Sequence, residues 1–458
     1  MKHYDVIVIG AGPGGIFATY ELAKKNLELS IGVFEAGHRL SDRKCPIDGD
    51  KIPTCIKCKS CSIMSGFGGA GAFSDGKYNI TNDFGGTLYE YIGKQQAIEL
   101  MKYVDKINME HGGEGTRLFS TAGTQFKKIC MQNKLKLLDA SVRHLGTDIN
   151  YVVLENLYNE LKEKADFHFD TPVVSINRTD NGYLIKTASD EFECENCIVS
   201  VGRSGSKWME KICHEMDIPT KSNRVDIGVR VELPAVIFSH LTDELYESKI
   251  VYRTRQFEDN VRTFCMNPYG HVVAENVEGI NTVNGHSYSD ASLRSENTNF
   301  ALLVSNRFTE PFDEPYRYGK HIASLSNMLA GGVLVQRFGD LVKGIRTNEH
   351  RLSQSFVKPT LTAAVPGDLS LALPKRQLDD IIEMIYALDK VAPGTANYDT
   401  LLYGAEVKFY SSRLELSHEL ETKLPGFFAI GDGAGTTRGL AQAGASGIKA
   451  ARAVLARL

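Results

Sequence analysis

A glycine motif near the start of the chain constrains the fold more than any other sequence feature. An apolar run precedes GAGPGG (10–15), and a helical pattern followed by a second apolar run (29–34) comes after it. This strand–turn–helix–strand order is typical of dinucleotide-binding sheets. In such a unit Gly10 permits the tight turn, Gly12 lets the backbone approach a pyrophosphate, and Gly15 allows the helix to pack closely on the strand.

An acidic residue and a second glycine motif favour FAD as the dinucleotide. Glu35 lies twenty residues after Gly15, where an acid can accept the ribose hydroxyls. Near the other end, LPGFFAIGDGAG (424–435) is an apolar run that ends in Gly431 and Asp432, and a helix of small residues follows. A carboxylate there can hold a ribityl hydroxyl, while the helix dipole favours negative charge at the flavin N1–C2=O edge.

The rest of the chain predicts an α/β fold: a discontinuous Rossmann-like FAD-binding domain with an inserted α+β substrate or cap domain. ECENCIVSVGRSG (193–205) is a further apolar strand with glycine turns, and the middle of the chain alternates strand-like runs with helical stretches at 316–330 and 376–390. The predicted segments are a first FAD-binding part with the cysteine-rich and glycine-rich loops (1–77), a mainly helical cap (78–148), a second FAD-binding part (149–205), the substrate domain (206–400) and a third FAD-binding part (401–458).

Composition makes several classes of partner less favoured. The chain has 458 residues, 42% of them hydrophobic and 24% charged, with a formal net charge of −4, which gives no general attraction to nucleic acid or acidic lipid. Nine cysteines in a chain of this length predict reduced thiols or a metal site. MKHYDVIVIG at the start resembles neither a signal peptide nor a membrane anchor, so we expect a cytoplasmic protein with no membrane or nucleic-acid partner.

These motifs carry two resemblances. GAGPGG with Glu35, the IVSVG strand and FFAIGD resemble the FAD-binding domain of glutathione-reductase-type flavoproteins with two dinucleotide-binding folds. RKCP, CIKCKSCSIMSGFGGAGAFSDGK and NGHSYSDASLRSENTNFALLVS resemble a bacterial group of uncharacterised FAD-dependent dehydrogenases over almost the whole chain. The stretch FCMNPYG (264–270) departs from that group at Asn267 and Tyr269. The resemblance implies flavin redox chemistry and names no substrate.

In flavoproteins of this type the segment after the second strand returns to the cofactor. We therefore expect SGFGGAGAFSDGK (65–77) to lie along the pyrophosphate or the flavin ring, with Asp75 and Lys77 close by; a solvated turn is the alternative for these side chains. The residues predicted to contact FAD are Gly10, Gly12, Pro13, Gly14, Gly15, Glu35, Ala36, Gly69, Ala70, Gly71, Ser74, Val173, Gly202, Gly431, Asp432, Gly433 and Ala443.

Four cysteines form a separate candidate site. Cys55, Cys58 and Cys61 have the spacing C-x2-C-x2-C, and Cys45 lies ten residues upstream. Four thiolates suffice for a [4Fe–4S] cluster or a tetrahedral zinc, whereas a thiol pair beside a flavin needs no metal. The spacing leaves these three interpretations open.

The reaction predicted from these features is hydride transfer between flavin N5 and an organic small-molecule substrate, catalysed by an FAD-dependent oxidoreductase. No second dinucleotide motif sits in a strand–turn–helix unit, so electrons would come from the substrate, from transiently bound NAD(P)H, or from a ferredoxin-like electron-transfer protein. Alternatives are a non-catalytic protein-binding scaffold and a tRNA-base-modifying flavoprotein. The candidate catalytic residues are Arg438, Lys77 and His271, and other candidates for proton donation or anion binding are His286, Arg294, Glu406, Lys408 and Tyr410.

Overall fold

The chain forms two compact units in a computed structural model that describes residues 2–25, 28–46, 56, 58, 60–277, 279–288 and 291–458. The first unit comprises Met1–Leu118, Ala140–Lys221 and Ser411–Leu458. The second unit comprises Phe119–Asp139 and Ser222–Tyr410.

These boundaries differ from the segments predicted at 78–148, 206–400 and 401–458, and strand pairing explains two of the differences. Leu135–Leu137 pairs with Ile250–Arg253, so residues 119–139 belong to the second unit rather than to one continuous cap. Leu401–Lys408 pairs with Val225–Pro234, which extends the second unit to Tyr410. At the remaining boundary, the helix Ser206–Glu215 buries Met209, Ile212 and Cys213 in a core cluster of the first unit.

The first unit is built on a seven-stranded sheet. Lys2–Ile9 pairs in parallel with Ile31–Phe34 on one side and with Glu191–Val199 on the other. The end of Glu191–Val199 pairs in parallel with Phe427–Ala429, whereas its beginning pairs antiparallel with Gly182–Lys186. The strand order is Asp166–His168, Ile31–Phe34, Lys2–Ile9, Glu191–Val199, Gly182–Lys186 and Ser175–Thr179, with Phe427–Ala429 beside Glu191–Val199.

This arrangement confirms the predicted Rossmann-like α/β fold. The predicted helix after the glycine motif spans Pro13–Lys25, and the C-terminal small-residue helix spans Leu440–Leu455. The other α-helices of this unit are Leu88–Ile92, Lys94–Asn108, Gly146–Leu161 and Ser206–Glu215. Further strand pairs include Lys77–Ile80 with Ser141–His144 and Thr220–Lys221 with Arg413–Leu414.

The second unit is an eight-stranded sheet, mostly antiparallel, with helices and one hairpin. Its strand order is Val365–Pro366, Leu334–Arg337, Leu401–Lys408, Val225–Pro234, Asn297–Asn306, Asn260–Asn267, Ile250–Arg253 and Leu135–Leu137. The hairpin pairs His271–Val277 with Ile280–His286. The helices are Phe126–Gln132, Ser239–Leu245, Pro315–Ala330, Phe338–Val342, Glu349–Ser353 and Lys375–Leu388.

The central strand Val225–Pro234 has two contrasting faces, both of them buried. Val225 and the other odd-numbered residues through Leu233 pack into the main hydrophobic core of the second unit. Asp226, Arg230 and Glu232 point to the opposite side and are fully buried as well. Charged side chains are seldom fully buried unless they are paired, so this face contains ion pairs rather than apolar packing.

The predicted helices at 316–330 and 376–390 are confirmed as Pro315–Ala330 and Lys375–Leu388. The segment 78–148 contains helices, but also the strands Leu118–Ser120, Leu135–Leu137 and Ser141–His144. Within the residues that the structure describes, no helix is long and apolar enough to cross a membrane.

Candidate functional site

The glycines of the GAGPGG motif have different surroundings at the carboxyl end of Lys2–Ile9. A Cβ atom on Gly15 would lie 1.9 Å from the carbonyl oxygen of Gly10, and one on Gly10 would lie 2.6 Å from the carbonyl oxygen of Ser200. A Cβ on Gly12 would meet only the Cα of Gly69, at 3.9 Å. Gly10 and Gly15 are therefore required by packing of the chain on itself, whereas Gly12 borders open space at the start of the helix.

The glycine-rich loop returns to this motif, as expected. The N–H of Gly68 donates to the carbonyl oxygen of Ala11 at 2.8 Å, and Gly69 faces the Cα of Gly12. Residues Gly69–Phe73 form a short 3-10 helix, and the Gly71 carbonyl accepts a hydrogen bond from Nδ2 of Asn150 at 2.9 Å. The loop thus lies beside the first turn of Pro13–Lys25, and the helix Gly146–Leu161 holds it there through Asn150.

Glu35 ties three backbone segments together at the end of the second strand. Its carboxylate accepts hydrogen bonds from the N–H groups of Ala11 at 2.7 Å, Gly37 at 2.9 Å and Gly66 at 3.0 Å, and the side chain is buried. An ionised carboxylate has about four acceptor positions, so a further donor such as a ribose hydroxyl can still bind. Glu35 has a structural role here in addition to the predicted ribose contact.

A second open position lies at the C-terminal glycine motif. Gly431 is buried and has φ +73°, yet a Cβ on it would meet only Oγ of Ser200, at 3.8 Å. Oδ1 of Asp432 accepts a hydrogen bond from Thr437 Oγ1 at 2.7 Å, and the N–H of Gly433 donates to the Val201 carbonyl at 2.9 Å. Gly431 and Asp432 therefore begin the turn between Phe427–Ala429 and the last helix.

Ser200 links the two motifs, although the sequence analysis did not select it. A Cβ on Gly14 would lie 2.5 Å from Ser200 Oγ and 3.4 Å from the Ala443 carbonyl oxygen, so Gly14, Ala443, Ser200 and Gly431 are neighbours. The signal that could have identified Ser200 is its position directly after the apolar strand Glu191–Val199, since ligands of parallel α/β sheets bind at the carboxyl ends of strands.

The other residues predicted to contact FAD have more varied positions. Val173 is buried in a core cluster of the first unit. Gly202, Ala36 and Ala70 are exposed, and Pro13 and Ser74 are partly exposed. Ser74 Oγ donates to the Gly71 carbonyl at 2.8 Å, so Ser74 supports the glycine-rich loop.

The three candidate catalytic residues do not belong to one unit. Lys77 forms an ion pair with Asp75 at 2.9 Å in the first unit, and the Arg438 N–H donates to the Gly85 carbonyl at 2.7 Å in the same unit. His271 lies in the hairpin of the second unit, where its Nε2 is 2.9 Å from the Leu293 carbonyl oxygen. Catalytic roles for all three stay predictions.

The cysteine cluster is described only in part. Cys55 lies outside the described residues, and Cys45, Cys58 and Cys61 are exposed. Among the described residues, these three do not form a group whose metal-binding atoms all lie within 4.8 Å of one another. A [4Fe–4S] cluster, zinc and free thiols therefore stay open as predictions for this segment.

The polar face of the second unit contains a fully buried ion pair. Arg230 donates to both carboxylate oxygens of Glu406, from Nε at 2.8 Å and from Nη2 at 2.7 Å, and Lys408 Nζ lies 3.0 Å from the same carboxylate. Burial works to raise the pKa of Glu406, but the two cations outweigh it and hold that pKa below its ordinary value. Glu406 and Lys408, both candidates from the sequence, thus belong to a charge network rather than acting as isolated groups.

Comparison with known proteins supports a flavoprotein in general terms. The family described as "FAD-dependent protein, C-terminal domain-like" matches residues 225–409, which is almost all of the second unit. No curated protein matches the sequence.

Solved structures show only distant similarity. Glycine oxidase from Geobacillus kaustophilus has 12% identity and a TM-score of 0.42, with 100% of this chain and 95% of that chain covered. A quinol fumarate reductase from E. coli has 12% identity and a TM-score of 0.43, with 100% and 71% covered. CtdE in complex with FAD has 11% identity and a TM-score of 0.38, with 98% and 83% covered. Such low scores carry no argument about the reaction of this chain.

Proposed function

We propose that this protein is an FAD-dependent oxidoreductase that moves a hydride between flavin N5 and an organic substrate. The observation that carries the proposal is the open position at Gly12, at the carboxyl end of Lys2–Ile9 in the parallel sheet. A Cβ at Gly10 or Gly15 would collide with a backbone oxygen, and the backbone of Gly431, with φ +73°, itself favours glycine, whereas neither reason applies to Gly12. A ligand that approaches the backbone closely would explain why residue 12 lacks a side chain.

The residues around these positions have the chemistry that FAD requires. The first turn of Pro13–Lys25 offers backbone N–H groups that have no acceptor inside the helix, and the dipole of the helix favours the pyrophosphate there. Glu35 retains an acceptor position for a ribose hydroxyl, and Asp432 offers a carboxylate for a ribityl hydroxyl. When bound, FAD supplies reversible two-electron chemistry.

The protein's own contribution is to position the cofactor. Asn150 and Ser74 hold the Gly71 carbonyl, so the glycine-rich loop lies against Gly12 with its side-chain-free surface toward the motif. A loop without side chains on this surface would cover the pyrophosphate of FAD and still leave room for it to bind. We further propose NAD(P)H or a ferredoxin-like protein as the electron source, and stopped-flow mixing of the oxidised protein with each donor distinguishes them.

The substitution Gly12→Ala, which adds a single methyl group, tests the proposal. Because a Cβ at residue 12 has space in the protein alone, Gly12→Ala should fold normally but occupy the position of the pyrophosphate. We expect FAD affinity to fall at least about tenfold, a loss of about 1.4 kcal/mol, measured by fluorescence titration of the apoprotein with FAD. Gly332→Ala is the matched control, since a Cβ there meets only Asn281 Nδ2 at 3.7 Å in the second unit.

Two outcomes would contradict the proposal. Equal FAD affinity in wild type and Gly12→Ala would show that FAD does not occupy the open space beside Gly12. A wild-type protein that binds no FAD would reject the flavoenzyme and favour the protein-binding scaffold.

A further inference from the structure

Two guanidinium groups of the second unit converge on one hydroxyl and one carboxylate. Nη2 of Arg224 and Nη2 of Arg262 both donate to the Tyr410 hydroxyl oxygen, at 3.3 Å and 3.1 Å. The Tyr410 hydroxyl donates to Oδ2 of Asp226 at 2.6 Å, and Arg262 donates to the same oxygen. Ser305 donates to the other carboxylate oxygen at 2.6 Å. We call Arg224, Arg262, Tyr410 and Asp226 the arginine cluster.

The arginine cluster has one more positive charge than negative charge. Asp226 is fully buried, and the side chains of Arg262 and Arg224 are 15% and 33% exposed. Of the described acids, only Asp226 lies within 4 Å of either guanidinium. Lys408, the neighbour of Asp226 across the strand pair, lies near two acids, Glu406 at 3.0 Å and Glu275 at 3.9 Å, and Glu406 also pairs with Arg230. Among the described residues, one cation of the arginine cluster therefore has no matching anion within 4 Å.

Both guanidinium groups retain hydrogen-bond donors. A guanidinium has five N–H donors. In the described part of the chain the Arg224 side chain donates only to Tyr410, and the Arg262 side chain donates only through Nη2, to Tyr410 and Asp226. Because an unmatched, partly desolvated cation is costly, an anion that reaches these donors would be bound.

Aromatic rings fix the orientation of both groups. The Arg224 guanidinium lies 4.8 Å from the centre of the Tyr410 ring, and the Arg262 guanidinium lies 4.9 Å from the centre of the Phe264 ring. Cation–π contacts of this kind restrict the motion of the guanidinium groups before a ligand arrives, which lowers the entropic cost of binding.

We propose that Arg224 and Arg262 bind the carboxylate group of a small-molecule ligand. A carboxylate suits the cluster because its single negative charge equals the single excess positive charge, and its two oxygens match the guanidinium fork. A phosphate dianion would leave the region with an excess negative charge.

Binding can be measured with acetate as the probe. The methyl proton resonance of acetate should broaden in the presence of the wild-type protein, at constant ionic strength set with chloride. We expect Arg224→Gln to weaken acetate binding at least about tenfold, equivalent to about 1.4 kcal/mol. Arg253→Gln is the matched control, because Arg253 is an exposed arginine of the same unit paired with Glu258.

A second variant distinguishes loss of acetate binding from a folding defect. Arg262→Lys keeps a positive charge beside buried Asp226 but loses the planar fork, so it should fold and still bind acetate less tightly than wild type. Equal broadening in wild type, Arg224→Gln and Arg262→Lys would overturn the site. Tighter binding of phosphate than of acetate, measured from the phosphorus resonance, would overturn the carboxylate assignment.

Flavin absorbance of the same samples separates this inference from the proposed function. Bound FAD without acetate binding would overturn the arginine site and leave the flavoenzyme intact. Acetate binding without FAD would support the arginine site and reject the flavoenzyme.

Discussion

The carboxylate of Glu35 accepts a hydrogen bond from the backbone N–H of Gly66, which lies 31 residues further along the chain, at 3.0 Å. The same carboxylate accepts the N–H of Ala11, in the glycine motif. One side chain therefore fixes the glycine-rich loop and the GAGPGG motif relative to each other.

Glu35→Gln should destabilise the protein by about 1–3 kcal/mol. The amide nitrogen of glutamine would face a backbone N–H, so at least one of the three buried donors would lose its acceptor. Urea unfolding measures the change. Glu191→Gln, which alters an exposed acid paired with Lys186 in the same unit, should change stability by no more than about 0.5 kcal/mol. Equal losses in the two variants would argue against the structural role of Glu35.

Gly447→Ala should also destabilise the first unit. A Cβ there would lie 2.1 Å from the carbonyl oxygen of Gly14, where the last helix packs on Pro13–Lys25. Alanine gains about 1 kcal/mol over glycine within a helix, but this overlap forces the helices apart and should give a net loss of about 1–3 kcal/mol. Thermal unfolding would show it, with Gly332→Ala as the reference. A Gly447→Ala variant more stable than wild type would show that the last helix and Pro13–Lys25 pack less closely than described.

Glu406→Gln should cost about 3–5 kcal/mol, because it removes the charge that compensates Arg230 and Lys408. Arg230 is completely buried, so water cannot replace the carboxylate. Glu258→Gln breaks the exposed pair with Arg253 and should cost about 0–1 kcal/mol. Urea unfolding of both variants checks the difference, and similar values would mean that the buried pair is not a major source of stability.

The contribution of Asp380 to the stability of the second unit should fall as pH rises from about 4 to about 6. Burial, together with the nearby charge of Asp259, raises the pKa of Asp380 to about 6, above its ordinary value. The folded state therefore holds a proton that the unfolded state releases, and this stabilisation is lost once the pH exceeds the folded pKa.

Asp380→Asn removes this titration. We expect the variant to gain about 2 kcal/mol relative to wild type on going from about pH 4 to about pH 8. Urea unfolding across that range gives the curves, and exposed Asp243→Asn is the matched control. A pH-independent difference between Asp380→Asn and wild type would contradict the assignment.

Local patterns were sufficient to predict several elements of both units. The strand before GAGPGG, the helix Pro13–Lys25 and the helices Pro315–Ala330 and Lys375–Leu388 follow from hydrophobic periodicity and glycine positions, which act over a few residues. The boundaries of the two units did not follow in the same way. They depend on which strands pair, as Leu135–Leu137 does with Ile250–Arg253, across more than a hundred residues of sequence.

The sequence by itself determined the fold class and the residue types of a dinucleotide site, because turn geometry and periodicity are local properties. Only the tertiary structure decided which glycines border open space, how Glu35 joins three segments, and that Arg224 and Arg262 share one carboxylate. Tyr410 and Arg224 are 186 residues apart, and their meeting depends on strand register and burial, which no local pattern encodes.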